Sequence, residues 1–226
     1  MTKKNEFLSG IKAEIPILIG VIPFGLIYGV MALAVGMDQT IAQAMSAIVF
    51  AGSSQFVSTQ LIKSGAPVFV ILMTVAVVNL RHALYSASLA PYLKPLKPAW
   101  KWLLAYLLTD EAYAVTIVHY NQEGEIRLKH WFYLGAGLAL WVTWQLSTAA
   151  GIFLGAVVPA SWSLDFALTL TFLALMVPMI QERASLAAAL SAGVAAVLFI
   201  NLPYKLGLVI ATLVGILVGS LLEGKS

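Results

Sequence analysis

The chain has 226 residues, of which 61% are hydrophobic and only 10% charged, and its mean hydropathy is +0.92. A water-soluble domain carries roughly 25% charged residues; this chain has too few polar groups to cover a surface, so its solvent is lipid and the soluble classes are excluded. The net charge of +3 and pI near 9.1 come from basic residues scattered at the ends of apolar runs, a pattern suited to an anionic inner leaflet and not to nucleic acid. The absence of cysteine excludes disulfides, thiolate metal sites and thiol chemistry.

Apolar runs fall at about 15–37, 41–62, 66–90, 99–120, 130–158, 164–180, 184–201 and 204–222. Backbone amides in hydrocarbon must bond within their own segment, so each run is expected to be helical. The expected fold is all-α: a polytopic membrane protein with six to eight transmembrane or re-entrant helices, in a single integral membrane domain spanning 1–226. Lys3, Lys4 and Lys12 precede the first run, and Ala32-Leu33-Ala34 resembles a cleavage site. A signal peptide's apolar core is roughly 7–15 residues, shorter than the stretch from Ile15 to Val35, so an uncleaved first helix is expected.

Pro23 with Gly25 and Gly29 is expected to kink that helix and admit a close neighbour. The Gly25-x-x-x-Gly29 spacing recurs as Gly151-x-x-x-Gly155 and as Gly215-x-x-x-Gly219, which suggests two related halves, 1–120 and 130–226. Gly52-Ser53-Ser54 interrupts the second run and Pro178 falls near the end of the sixth; corresponding interrupted segments point to a carrier's binding site. If both re-enter, six full crossings remain and the halves are inverted repeats; if neither does, there are eight. Lys and Arg counts tie between the two arrangements, so the crossing number stays open.

The polar residues inside these runs are few and gathered. Ala51-Gly52-Ser53-Ser54-Gln55 loosens a helix, and a half-helix starting there would aim its positive end at an anion such as a carboxylate; the plainer reading is a small-residue packing patch. Asn79, Arg81 and His82 lie well inside the third run, where a cation costs at least about 2.5–3.5 kcal/mol unless it pairs or snorkels. Arg81 is expected either to pair with a carboxylate or to receive a substrate's, and His82 to relay protons or to stay structural. Asp110-Glu111 is the acidic pair inside the fourth run, and Tyr106, Asp110 and Tyr113 are expected to share a helical stripe, which makes Asp110 the inward carboxylate. Phe24, Tyr28 and Phe56 are candidates for apolar walls. Nucleotide-binding loops and metal-ligand spacings are absent from the sequence, so no ATP hydrolysis by the chain itself, metal or cofactor is expected.

Phe50-Ala-Gly-Ser-Ser-Gln-Phe56, Asn79-Leu-Arg-His82 with Tyr85-Ser-Ala-Ser88, and Leu108-Thr-Asp-Glu-Ala112 together resemble the AzlC family, the large subunits of bacterial branched-chain amino acid exporters. The resemblance covers nearly the whole chain. It implies a multi-pass carrier of the bacterial inner membrane that exports valine, leucine or isoleucine, in some members methionine, driven by the proton-motive force and working with a small AzlD-type membrane subunit. On the physics of the residues, Gly52, Ser53, Ser54, Gln55, Asn79 and Arg81 are the expected substrate-binding set, and His82, Asp110 and Glu111 the coupling or gating set. The rival expectation is an intramembrane serine hydrolase using Ser53, His82 and Asp110 as a triad.

Overall fold

The computed structural model describes residues 2–121, 128–157, 180, 182–203 and 206–223. Among them the chain is all-helical: α1 (Lys3–Ala34), α2 (Gln39–Ile48), α3 (Gly52–Lys63), α4 (Val68–Leu93), α5 (Pro98–Tyr106), α6 (Asp110–Asn121), α7 (Lys129–Val157), α8 (Arg183–Leu198) and α9 (Leu206–Glu223). α1, α4, α7 and α9 are long and apolar enough to cross a membrane. The chain is a multi-pass membrane protein. The expected run at 164–180, with Asp165 and Pro178, lies outside the described residues.

The chain forms two compact units, Met1–Gln60 with Ile71–Val158, and Leu61–Val70 with Pro159–Ser226. In the second, α8 and α9 pack antiparallel on small residues: a Cβ at Gly215 would come within 3.0 Å of the Ala192 side chain, and one at Gly219 within 3.2 Å of Ala188.

The first unit is built on α1 against α7. A Cβ at Gly10 would lie 2.0 Å from the Phe132 carbonyl oxygen, one at Gly25 2.6 Å from Ser147, and one at Gly29 2.5 Å from the Thr148 carbonyl oxygen and the Ile152 nitrogen. Residue numbers rise together along both helices, so α1 and α7 run parallel, with Gly25/Gly29 and Gly151 as the surfaces that bring the backbones together. Between helices in lipid there is no hydrophobic drive to associate, and this close van der Waals packing supplies the attraction.

The remaining contacts fix the sense of every neighbour. Ser54 meets Asn79 and Ser53 meets Arg81, so α3 is antiparallel to α4. Arg81 meets Asp110, Tyr85 stacks on Tyr113 and Tyr92 touches Tyr120, so α6 is parallel to α4. Trp100 meets His130, Tyr133 bonds Leu104 and Leu107 lies under Gly137, so α5 is parallel to α7. His119 stacks on Phe132 and Lys129 reaches Tyr120, which makes α6 antiparallel to α7. α1, α3, α5 and α7 therefore share one direction, and α4 and α6 the other. The chain must return through α2 to enter α3, so α2/α3 and α5/α6 are both re-entrant hairpins.

Helix lengths agree with that reading. The hairpin arms have 10, 12, 9 and 12 residues, or about 14–18 Å each, roughly half of a 30 Å hydrocarbon layer. A long helix followed by two half-length ones occurs as α1–α2–α3 and again, inverted, as α4–α5–α6. The expected single helix over 99–120 is corrected: it breaks at Leu107–Thr109, where Thr109 caps a new helix and the chain reverses. Six crossings with only run 41–62 re-entering ahead of α7 would have set α7 antiparallel to α1, and their contacts run parallel.

The hairpins also resolve the charge count. The N-terminus, the α4–α5 turn and the start of α7 lie on one side, bringing together Lys3, Lys4, Lys12, Lys94, Lys97, Lys101 and Lys129; Lys63 sits at the opposite end of α4. Basic residues gather on the cytoplasmic side of membrane proteins, and in the first unit most of the described ones lie on the side of the N-terminus.

Candidate functional site

The two hairpin tips meet at mid-depth. The Tyr106 hydroxyl donates to the Ala47 carbonyl, and the Phe50 and Tyr106 rings lie 6.3 Å apart. α2 ends at Ile48 and α3 begins at Gly52, directly after Ala51, whose side chain has no acceptor to cap the new helix. The amides of Gly52, Ser53 and Ser54 are thus the first-turn donors that a helix leaves without partners of its own. The α6 start is closed differently: Thr109 Oγ1 accepts from the Ala112 amide at 3.2 Å, and Asp110 and Glu111 occupy the first turn, where negative charge suits the helix dipole.

Arg81, in the middle of α4, joins the two tips. Its Nη1 lies 2.6 Å from Asp110 Oδ2, its Nη2 donates to Ser53 Oγ, and its side chain is 32% exposed. One turn away, Ser54 Oγ donates to Asn79 Oδ1 at 2.7 Å with Ser54 fully buried. Of the expected binding set, Ser53, Ser54, Asn79 and Arg81 are joined by these bonds. Gln55 is fully buried beside the Tyr28 side chain. Tyr106 and Asp110 do not share a helical stripe, because the chain breaks between them. His82 rests edge-on against Tyr85, 6.0 Å between centroids, and Tyr85 stacks at 4.4 Å on Tyr113, whose hydroxyl donates to Ser88. Arg81 therefore stands between Ser53 and Asp110, where a hydrolytic triad needs an imidazole.

Aromatic rings back the first tip. Phe24 and Tyr28 meet Phe56 edge-on at 6.1 and 6.3 Å, Tyr28 stacks over Trp144, and a Cβ at Gly52 would come within 3.0 Å of that indole. On the lysine-rich side, a cavity of about 660 Å³ lies among α4, α5 and α7, with Ser86, Leu89, Ala90, Leu108 and Tyr133 in its wall and Lys94 and Lys101 at its rim. Its size falls in the usual range for small-molecule sites. Ser86 is five residues from Arg81, about 7 Å along the helix.

Sequence reasoning passed over two features. The Leu107–Thr109 break has no glycine or proline to announce it. Glu6 and Glu14 precede the first apolar run, yet α1 begins at Lys3 and both are buried within it. A spacing of four and eight residues from Glu6 through Gly10 to Glu14 was the available signal for one buried face. Among the described residues no group of His, Cys, Asp and Glu could hold a metal ion.

The AzlC protein family profile matches residues 16–158, which hold both hairpins, Arg81 and Asp110. This chain belongs to the AzlC family. It is similar to the inner membrane protein YgaZ of Escherichia coli, 29% identical over 95% of this chain and 88% of that protein. It is also similar to an uncharacterized membrane protein of Archaeoglobus fulgidus, 30% identical over 95% of this chain and 94% of the relative. The branched-chain amino acid transport protein AzlC of Bacillus subtilis is 25% identical over 78% of this chain and 70% of its own length. No solved structure matches the chain.

Proposed function

We propose that this AzlC-family chain is a secondary exporter of valine, leucine and isoleucine across the bacterial inner membrane, working with a small AzlD-type subunit. Family membership and the Bacillus subtilis relative's name support amino acid transport. The observation that carries the chemistry is Arg81 paired with Asp110 between the starts of two half-helices. A zwitterionic amino acid carries the same two charges as that ion pair and can replace it without leaving a charge unpaired in a low-dielectric layer. Its carboxylate takes the Arg81 guanidinium, Ser53 and the amides of Gly52–Ser54; its ammonium takes Asp110. The aliphatic side chain occupies apolar wall, and the cavity on the lysine-rich side is the route of entry from the cytoplasm. Pairing α2/α3 with α5/α6 in inverted fashion gives each membrane face an equivalent hairpin to open, as alternating access requires.

Counterflow of radiolabelled valine and leucine in proteoliposomes, with and without the small subunit, tests this reading. Exchange of both amino acids is the expected result, and no exchange with both subunits present contradicts it.

A further inference from the structure

Glu14 is fully buried, and neither carboxylate oxygen has a hydrogen-bond partner. An ionised carboxylate so placed would forfeit its hydration for nothing, a cost far above that of holding a proton. Its acidic neighbour is Glu111, across the α1–α6 contact and next in sequence to Asp110. α7 presents residues 136–147 along this part of α1, none of them ionisable, and Lys12 is exposed. Around Glu111 stand Asp110, Arg81 and the Thr109 hydroxyl.

Toward the lysine-rich side the same interface stays polar. Thr116 is fully buried with an unpartnered hydroxyl, the Tyr120 hydroxyl is buried and unpartnered, and Glu6 Oε2 lies 3.1 Å from His119 Nε2. Because α1 and α6 are antiparallel, Glu6 faces His119 where Glu14 faces Glu111, and each pair is eight residues from the next on both helices. That spacing is about 12 Å. A dry helix interface has no packing need for so many polar groups.

We propose that Glu14 and Glu111 share one transported proton and couple amino acid export to proton entry, with Thr116, Tyr120 and the His119–Glu6 pair as the path to the cytoplasmic side. This rests on the carrier reading above. When side-chain motion brings the two carboxyls into hydrogen-bond contact, the O–H bond at one breaks as an O–H bond forms at the other. With the proton in place, the Glu14–Glu111 pair holds one negative charge beside that of Asp110, and Arg81 balances one of the two. When the proton leaves, a third negative charge stands there, and a substrate ammonium is the cation that answers it. Proton and ammonium thus answer the same excess of negative charge at the start of α6, which is the logic of antiport.

Two measurements on the full-length protein in lipid test the pair. In pH-difference infrared spectra, wild type shows a protonated-carboxyl band that Glu14→Gln loses and Glu111→Gln shifts; a spectrum unchanged in both variants overturns the proposal while leaving the carrier reading intact. In proteoliposomes, accumulation driven by an imposed pH gradient, taken relative to exchange by the same variant, falls about tenfold or more in Glu14→Gln. An unchanged ratio, or accumulation that follows sodium instead of pH, overturns it. The carboxyl band together with no amino acid exchange by wild type would overturn the substrate reading and support the proton pair. Glu111→Gln keeps the test decisive if Glu14→Gln fails to fold.

Discussion

Arg81 Nη1 lies 2.6 Å from Asp110 Oδ2, and these two residues tie a continuous helix to the start of a broken one. Neither is deeply enclosed, with side chains 32% and 39% exposed, so the pair sits where a ligand can reach it. The geometry needs a planar fork, because a second guanidinium nitrogen serves Ser53. Lysine offers a point charge in its place. Arg81→Lys should therefore lose about 10- to 100-fold in exchange, the range expected for a charge-assisted hydrogen bond, with the protein still folded. Initial exchange rates beside size-exclusion profiles check this.

Re-entrant hairpins and full crossings predict opposite sides for two turns. The chain has no cysteine, so single cysteines can be labelled without background. Lys97→Cys should react with an impermeant maleimide only from the side that labels Lys4→Cys, and Gly65→Cys only from the other. Eight full crossings would invert both turns.

The α1–α7 contact should be intolerant of volume at chosen glycines. A side chain at Gly29 would strike the α7 backbone at 2.5 Å, whereas nothing lies within 4 Å of a Cβ at Gly20. Gly29→Leu is expected to abolish a monodisperse protein, and Gly20→Ala to leave its melting temperature unchanged or slightly raised, since alanine favours helix over glycine by about 1 kcal/mol. Thermal unfolding in detergent separates the two.

Outside the membrane, Asp38 caps α2: its Oδ1 accepts from the Thr40 amide at 2.8 Å and from the Thr40 hydroxyl. The Thr40 hydroxyl, then the Thr40 amide, hold its carboxyl below the usual range. A group lowered on folding contributes stability above its unfolded pKa and loses it as pH falls through the folded value. Protection of the Thr40 amide, taken against its intrinsic exchange rate, should therefore fall below about pH 4, and Asp38→Ala should lose that protection at neutral pH as well.

Much of this architecture was legible in the sequence, for reasons that differ by residue. The break before Gly52 was visible because a glycine and two serines interrupt an apolar run, and Arg81 stood out because a cation in hydrocarbon demands a partner. The paired Gly-x-x-x-Gly motifs were visible too, although they mark the packing of α1 on α7 and of α8 on α9. The second break was not legible: Leu107-Leu108-Thr109 carries no glycine or proline, and it takes the tertiary bond of Tyr106 to Ala47 beside the local Thr109 cap on Ala112 to turn the chain. Glu14 stayed hidden because it precedes the apolar run, and its burial follows from α1 extending to Lys3.

Replacement of the Arg81–Asp110 pair by a zwitterion is the event on which the proposed exchange turns. Leucine counterflow competed by leucine, leucinamide and 4-methylpentanoate, in wild type and Asp110→Asn, tests it most directly. Leucine is expected to compete, neither singly charged analogue to do so, and Asp110→Asn to lose exchange about tenfold or more. Full competition by either analogue, or wild-type exchange in Asp110→Asn, would contradict it.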